Sequence, residues 1–142
     1  VVIVPDTEIE GAFYTQLFGL DELMHHRIVG PAIEKAVGLP RGSALIMRLM
    51  GRETELFGRM ELVQYEGLTG TDRFPLAKAP SLGTLHCRFE VDSMDGFVER
   101  ARSLGVAVRH YGPIQTMFGP GRAAAVYSPA GLRLEVIEPD IK

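Results

Sequence analysis

One order of segments occurs twice along this chain, and a repeat constrains the fold more than any single motif does. In the first copy, VVIVPD (1–6) reads as a β-branched strand ended by Pro-Asp, with Asp6 placed to cap a helix. TEIEGAFYTQLFGL (7–20) carries Ile9, Ala12, Phe13 and Leu17 at helical spacing and stops at Gly19, a C-terminal cap. Strands are predicted over 21–30, 43–51 and 57–67, with a short proline-bounded helix at 31–40. The Gly-, Pro- and Thr-rich stretch 68–83 reads as a linker. Then the order restarts. A strand at 84–92 is followed by a helix at 93–105, with Phe97, Ala101 and Leu104 on one stripe. Strands are predicted at 106–111, 121–128 and 132–138, with FGPGR and SPAG as turns.

The anchors of the two copies pair off: Asp6 with Asp92, Phe13 with Phe97, Gly19 with Gly105, and Glu61 with Glu135. From Asp to Glu the first copy spans 61 − 6 = 55 positions and the second 135 − 92 = 43. The difference of 12 matches the proline-bounded segment 31–42, so an insertion accounts for it. The fold class this implies is α+β: paired βαβββ modules, module one at 1–67, the linker at 68–83 and module two at 84–142, in a single domain.

Composition narrows the partners. A net charge of −3 with 23% charged residues argues against nucleic acid, whose phosphates select basic faces. No apolar run approaches a membrane span. Cys87 is the lone cysteine, which points to a reducing, cytoplasmic setting rather than a disulfide framework. The chain opens Val-Val-Ile-Val without a Met and inside a predicted strand, so its true start is expected to lie further upstream.

The residues that stand out are two glutamates in apolar strands: Glu61 in RMELVQYEG and Glu135 in RLEVIEPD. A carboxylate there faces either solvent or a purpose. Alternate side chains of a strand share a face, so His86, Arg88 and Glu90 point one way while Cys87, Phe89 and Val91 point toward helix 93–104. Likewise Arg133, Glu135 and Ile137 share a face, with Leu134 and Val136 behind. His86 and Glu135 can therefore look into one polar space with an apolar back. His25 and His26 are consecutive and point to opposite faces. His110 belongs at the surface or rim, and Met47, Met50, Met60 and Met117 read as core filling. Arg48, within LIMRLM, either meets solvent or holds an anionic substrate.

The repeat, FYTQLFGL after an Asp-ended strand, the LHCRFEVD strand and YSPAGLRLEVIEP together resemble the vicinal oxygen chelate superfamily, over essentially the whole chain. That superfamily includes glyoxalase I, methylmalonyl-CoA epimerase, extradiol dioxygenases and bleomycin-resistance proteins. The resemblance implies a cup-shaped mixed sheet around one divalent metal ion (Zn, Ni, Mn, Fe or Co), with ligands from the first and last strands of each module. Carried over, the ligands are His86, Glu135 and Glu61, and the His86 counterpart falls at the position just before Val1. Glu61 and Glu135 become the candidate catalytic base and acid. The function implied is a glyoxalase-like lyase or isomerase that takes a proton beside a metal-bound oxygen of a small-molecule substrate. Two other readings are an extradiol-type Fe(II) dioxygenase and a metal-free binding or resistance protein. A homodimer is expected, since open sheets have edges that want a partner.

Overall fold

The computed structural model of the chain describes residues 1–78, 80, 85–116 and 119–140. They divide into two compact units, Val1–Asp72 and Arg73–Lys142, so the boundary falls inside the predicted linker. A 3-10 turn, Phe74–Leu76, belongs to the second unit, and Phe74 lies against Gly131 there.

In the first unit β1 (Val2–Ile3) leads into α1 (Thr7–Phe18), β2 (Asp21–Val29), α2 (Pro31–Val37), β3 (Ala44–Gly51) and β4 (Met60–Glu66). The second unit runs β5 (Cys87–Glu90), α3 (Met94–Ser103), β6 (Arg109–Thr116), β7 (Gly119–Tyr127) and β8 (Arg133–Pro139). Strand order is β1-β4-β3-β2 in one sheet and β5-β8-β7-β6 in the other. In both, the first and last strands pair parallel and the remaining neighbours antiparallel. The fold class is thus α+β, built from two βαβββ units as the repeat predicts. The insertion is α2, which has no counterpart among the described residues of the second unit.

Hydrogen bonds fix which residues are equivalent. The Val4 N–H donates to the Val63 carbonyl at 2.8 Å, and the Val91 N–H donates to the Ile137 carbonyl at 2.9 Å. This makes Glu61 and Glu135 equivalent, each two residues before the acceptor. It also shifts one predicted anchor. Asp6 matches Ser93 rather than Asp92, and both act as helix caps: Asp6 Oδ1 accepts from the N–H groups of Glu8 and Ile9, and Ser93 Oγ accepts from Gly96 N–H. The offset between first strands is therefore 93 − 6 = 87, and the counterpart of His86 moves to two places before Val1. By the same offset Phe97 matches Glu10, and Phe13 matches Arg100, so the predicted Phe13–Phe97 pair does not hold. Gly19 and Gly105 do pair in role, each ending its helix in the left-handed region at φ 66° and 70°.

The stripe on α1 differs from the one predicted. Thr7, Glu10, Gly11, Tyr14, Leu17 and Phe18 are buried, whereas Ile9 is 58% exposed. Gly11 explains the rotation: a Cβ there would already touch Arg48 and Met50 side chains at 3.6 Å, so the helix approaches β3 along this glycine. On α3, Phe97 and Ala101 are buried as expected, while Leu104 is exposed. Met50 and Met60 belong to the core and Met47 is half-buried; Met117 lies outside the described residues, as does Thr84, the first residue of the predicted strand 84–92. FGPGR is not a turn over its described part, because β7 already begins at Gly119. Among the described residues no helix is long and apolar enough to cross a membrane.

Candidate functional site

The second unit displays a charged row across its whole sheet. Register places Arg88 of β5 beside Glu135 of β8, Glu135 beside Ala125 of β7, and Ala125 beside Arg109 of β6. Leu134 and Val136, on the opposite side of β8, are fully buried, which locks this register because a one-residue slip would bury Glu135 instead. Arg88 Nε donates to Glu135 Oε2 at 2.8 Å, and its Nη2 lies 2.8 Å from the same oxygen in an ion pair. His86, just before β5, brings Nε2 to 3.8 Å from the same oxygen. His86 and Glu135 therefore share a face and nearly meet, with Arg88 holding the carboxylate between them.

A β-bulge adds a further group. Pairing along β6 skips a residue between His110 and Gly112, and Gly112 sits at φ 73°. The extra residue is Tyr111. Its hydroxyl accepts a hydrogen bond from Arg133 Nη2 at 3.2 Å, and the guanidiniums of Arg109 and Arg133 lie 5.5 and 5.9 Å from its ring centroid. Arg133 and Glu135 are two residues apart on β8 and share a face.

In the first unit the equivalent face is apolar. Glu61 pairs with Leu49, Val63 with Met47, and Tyr65 with Leu45. His26, opposite Met47 on β2, joins this face, while His25 lies on the other and sits 3.8 Å from Glu22. Both histidines are exposed. Arg48 adopts neither predicted role: it lies under α1, donates to Thr7 Oγ1 at 3.4 Å and pairs with Glu22.

The helix-side face of the second unit carries a shallow cavity of about 340 Å³ whose lining includes His110, Glu99, Arg102 and Arg122. Arg122 reaches Asp95 at 2.5 Å and Glu138 at 3.4 Å. The hydrogen bond from Arg122 holds the Asp95 carboxyl below its ordinary range. Cys87 is half-buried, and burial pushes its thiol up, which makes it a poor nucleophile.

A divalent metal is what the resemblance implies for this face. His86 and Glu135 fit as two of its ligands, a nitrogen and a carboxylate oxygen of the kind first-row ions take. Within each unit, among the described residues, no group of three His, Cys, Asp or Glu side chains could complete a site. The Arg88, Arg109, Tyr111 and Arg133 set was not visible as a site in the sequence. Its signal was the alternation of charged residues at 86, 88, 133 and 135; the bulge that adds Tyr111 left only the weak mark of Gly112.

No family model and no curated protein sequence matches the chain. Solved structures do match. A glyoxalase family protein from Bacillus cereus superposes with a TM-score of 0.76 at 20% identity, covering 96% of this chain and 89% of that one. The trypanothione-dependent glyoxalase I of Leishmania major gives a TM-score of 0.60 at 20% identity, covering 96% and 81%. An antibiotic binding protein from a Streptomyces species gives 0.55 at 20% identity, covering 98% and 93%. The chain thus has the fold of the glyoxalase-like proteins, in agreement with the vicinal oxygen chelate resemblance of its sequence.

Proposed function

We propose that the protein is a divalent-metal-dependent lyase or isomerase of the glyoxalase type, acting on a small molecule that loses a proton beside a carbonyl oxygen. The observation that carries this reading is the meeting of His86 and Glu135 on one face of neighbouring strands, 3.8 Å apart. A metal bound there would supply a Lewis acid that stabilises the developing negative charge. His86 and Glu135 are its proposed ligands. Glu61, at the equivalent register position in the first unit, is the proposed third ligand and the base that receives the proton. Arg88 fixes the orientation of Glu135 by a hydrogen bond and an ion pair to one oxygen, Oε2, leaving Oε1 freer to ligate.

The test is metal content and proton exchange side by side. Wild-type protein titrated with Zn²⁺, Ni²⁺, Mn²⁺, Fe²⁺ or Co²⁺ should bind one ion per chain, and His86→Ala or Glu135→Ala should abolish binding. Glu61→Gln should keep part of the metal affinity and lose deuterium exchange from D₂O into hemithioacetals of methylglyoxal. Oxygen consumption with catechols under Fe²⁺ would instead select the dioxygenase.

A second reading rests on Arg88. Its ion pair already occupies Glu135 Oε2, as suits a metal-free pocket that binds a polar ligand. Retention of no metal in the titration above, together with saturable small-molecule binding, would select it.

A further inference from the structure

We propose that Arg109 and Arg133, which both contact Tyr111, form an anion-binding subsite, so that the ligand of this face carries an oxyanion group, a carboxylate or a phosphate. The inference rests on the reading that the Glu135 face is the ligand face, and it adds the substrate class. Arg88 and Glu135 satisfy each other's charge. Arg109 and Arg133 do not share in that. Among the described residues, neither has a carboxylate within ion-pair distance, and their contacts are the ring and hydroxyl of Tyr111. Glu90 shares the face, but it pairs in register with Ile137, four residues along β8 from Arg133 and roughly 13 Å away at strand spacing.

Two guanidiniums against one ring repel each other, and the ring quadrupole offsets only part of that. An oxyanion bound by both relieves the repulsion and accepts charge-assisted hydrogen bonds from their N–H groups. Tyr111 sets the gap. Its hydroxyl accepts from Arg133 Nη2, which leaves other N–H groups of that guanidinium to donate. The alternative use of such a cluster is purely structural, a cation–π stack that stiffens the edge strand. That alternative predicts no affinity for anions.

The experiment uses metal-free protein, so its result is independent of the metal question. Benzoate and inorganic phosphate are titrated separately, with the arginine Nε–Hε signals followed by NMR. Saturable shifts of the Arg109 and Arg133 signals are expected for at least one probe, and the tighter one tells carboxylate from phosphate. Arg109→Gln and Arg133→Gln should each weaken that probe about tenfold, the size of one charged hydrogen bond. Arg102→Gln, on the helix side, should leave it unchanged. Tyr111→Phe keeps the ring and should have less effect than either arginine change. The proposal is overturned if neither probe saturates, or if the Arg109→Gln/Arg133→Gln double variant binds as wild type while its melting temperature shows it folded.

Discussion

Around Glu61 the sheet offers Leu45, Met47, Leu49 and Val63; at the equivalent place around Glu135 it offers Arg88, Arg109 and Arg133. The opposite faces of the two sheets did not diverge in this way. Leu62 and Val136 hold the same position and both have no exposed surface. Helix caps, left-handed glycines and the parallel closing pair recur as well. The helix-covered face therefore carries the fold, and the glutamate face is free to take whatever chemistry a ligand needs. One βαβββ plan supports an apolar surface in one unit and a cationic one in the other.

Truncating the shared core should give the largest effects. Leu62→Ala is expected to cost about 2–5 kcal/mol, and Val136→Ala about 2 kcal/mol or more, through lost burial and the cavity left behind. Hydrogen exchange on each variant sharpens the comparison: protection should fall first in the unit that carries the change. Equal loss in both units would mean that the two do not open separately.

A smaller effect should separate Leu45 from Gly121, which the strand pairings make equivalent. A Cβ on Gly121 would sit 2.6 Å from the Glu138 carbonyl oxygen, a backbone atom with little freedom to retreat. Gly121→Ala should cost about 1–3 kcal/mol by urea unfolding, in the range of overpacked sites. A neutral result would show that β7 and β8 can spread as the first unit's strands do.

The two glutamates themselves should differ modestly. Glu135→Gln leaves Arg88 without its ion pair, and with both groups partly exposed the loss should be about 1 kcal/mol. Glu61→Gln, among apolar neighbours and without a salt bridge among the described residues, should change stability by less than about 0.5 kcal/mol. Thermal melts at matched ionic strength decide it.

The smallest difference concerns pH. Each unit has an exposed clamp that shifts its carboxyl, Arg27 with Glu66 and Arg122 with Asp95, and both carboxyls are held below their ordinary values chiefly by the arginine hydrogen bond. A lowered folded value means that the unfolded chain takes up the proton first as pH falls. The contribution is thus complete above the ordinary carboxylate range of about 4 and is lost as pH drops through the lowered value. Glu66→Gln and Asp95→Asn should each flatten the acid limb of a stability–pH curve slightly and leave neutral pH almost untouched.

Much of this was legible beforehand, for physical reasons that can be named. Strand alternation put His86 with Arg88 and Glu135 with Arg133, because a strand has only two faces. The repeat gave the topology, since Gly19 and Gly105 each end a helix in the left-handed region. What failed was rotation and register. Ile9 looked like core, but the helix settled on Gly11, where β3 comes near, and buried Glu10 instead. Asp92 looked like the cap because Asp6 is one, and Ser93 does that job. Tyr111 gave no periodic signal, since a bulge is a break in periodicity.

The parallel pairing of first and last strands also bears on how the protein reaches its native state. Arg88 and Glu135 are 47 residues apart in sequence, so pairing their strands closes a loop that holds the helix and both hairpin strands. Closing so long a loop is slow compared with forming the local β6–β7 and β7–β8 hairpins. The face that bears His86, Arg88 and Glu135 is therefore expected to assemble last in its unit. A chain lacking β8 keeps Arg88 and Arg109 but lacks Arg133 and Glu135, so binding at this face requires the completed sheet.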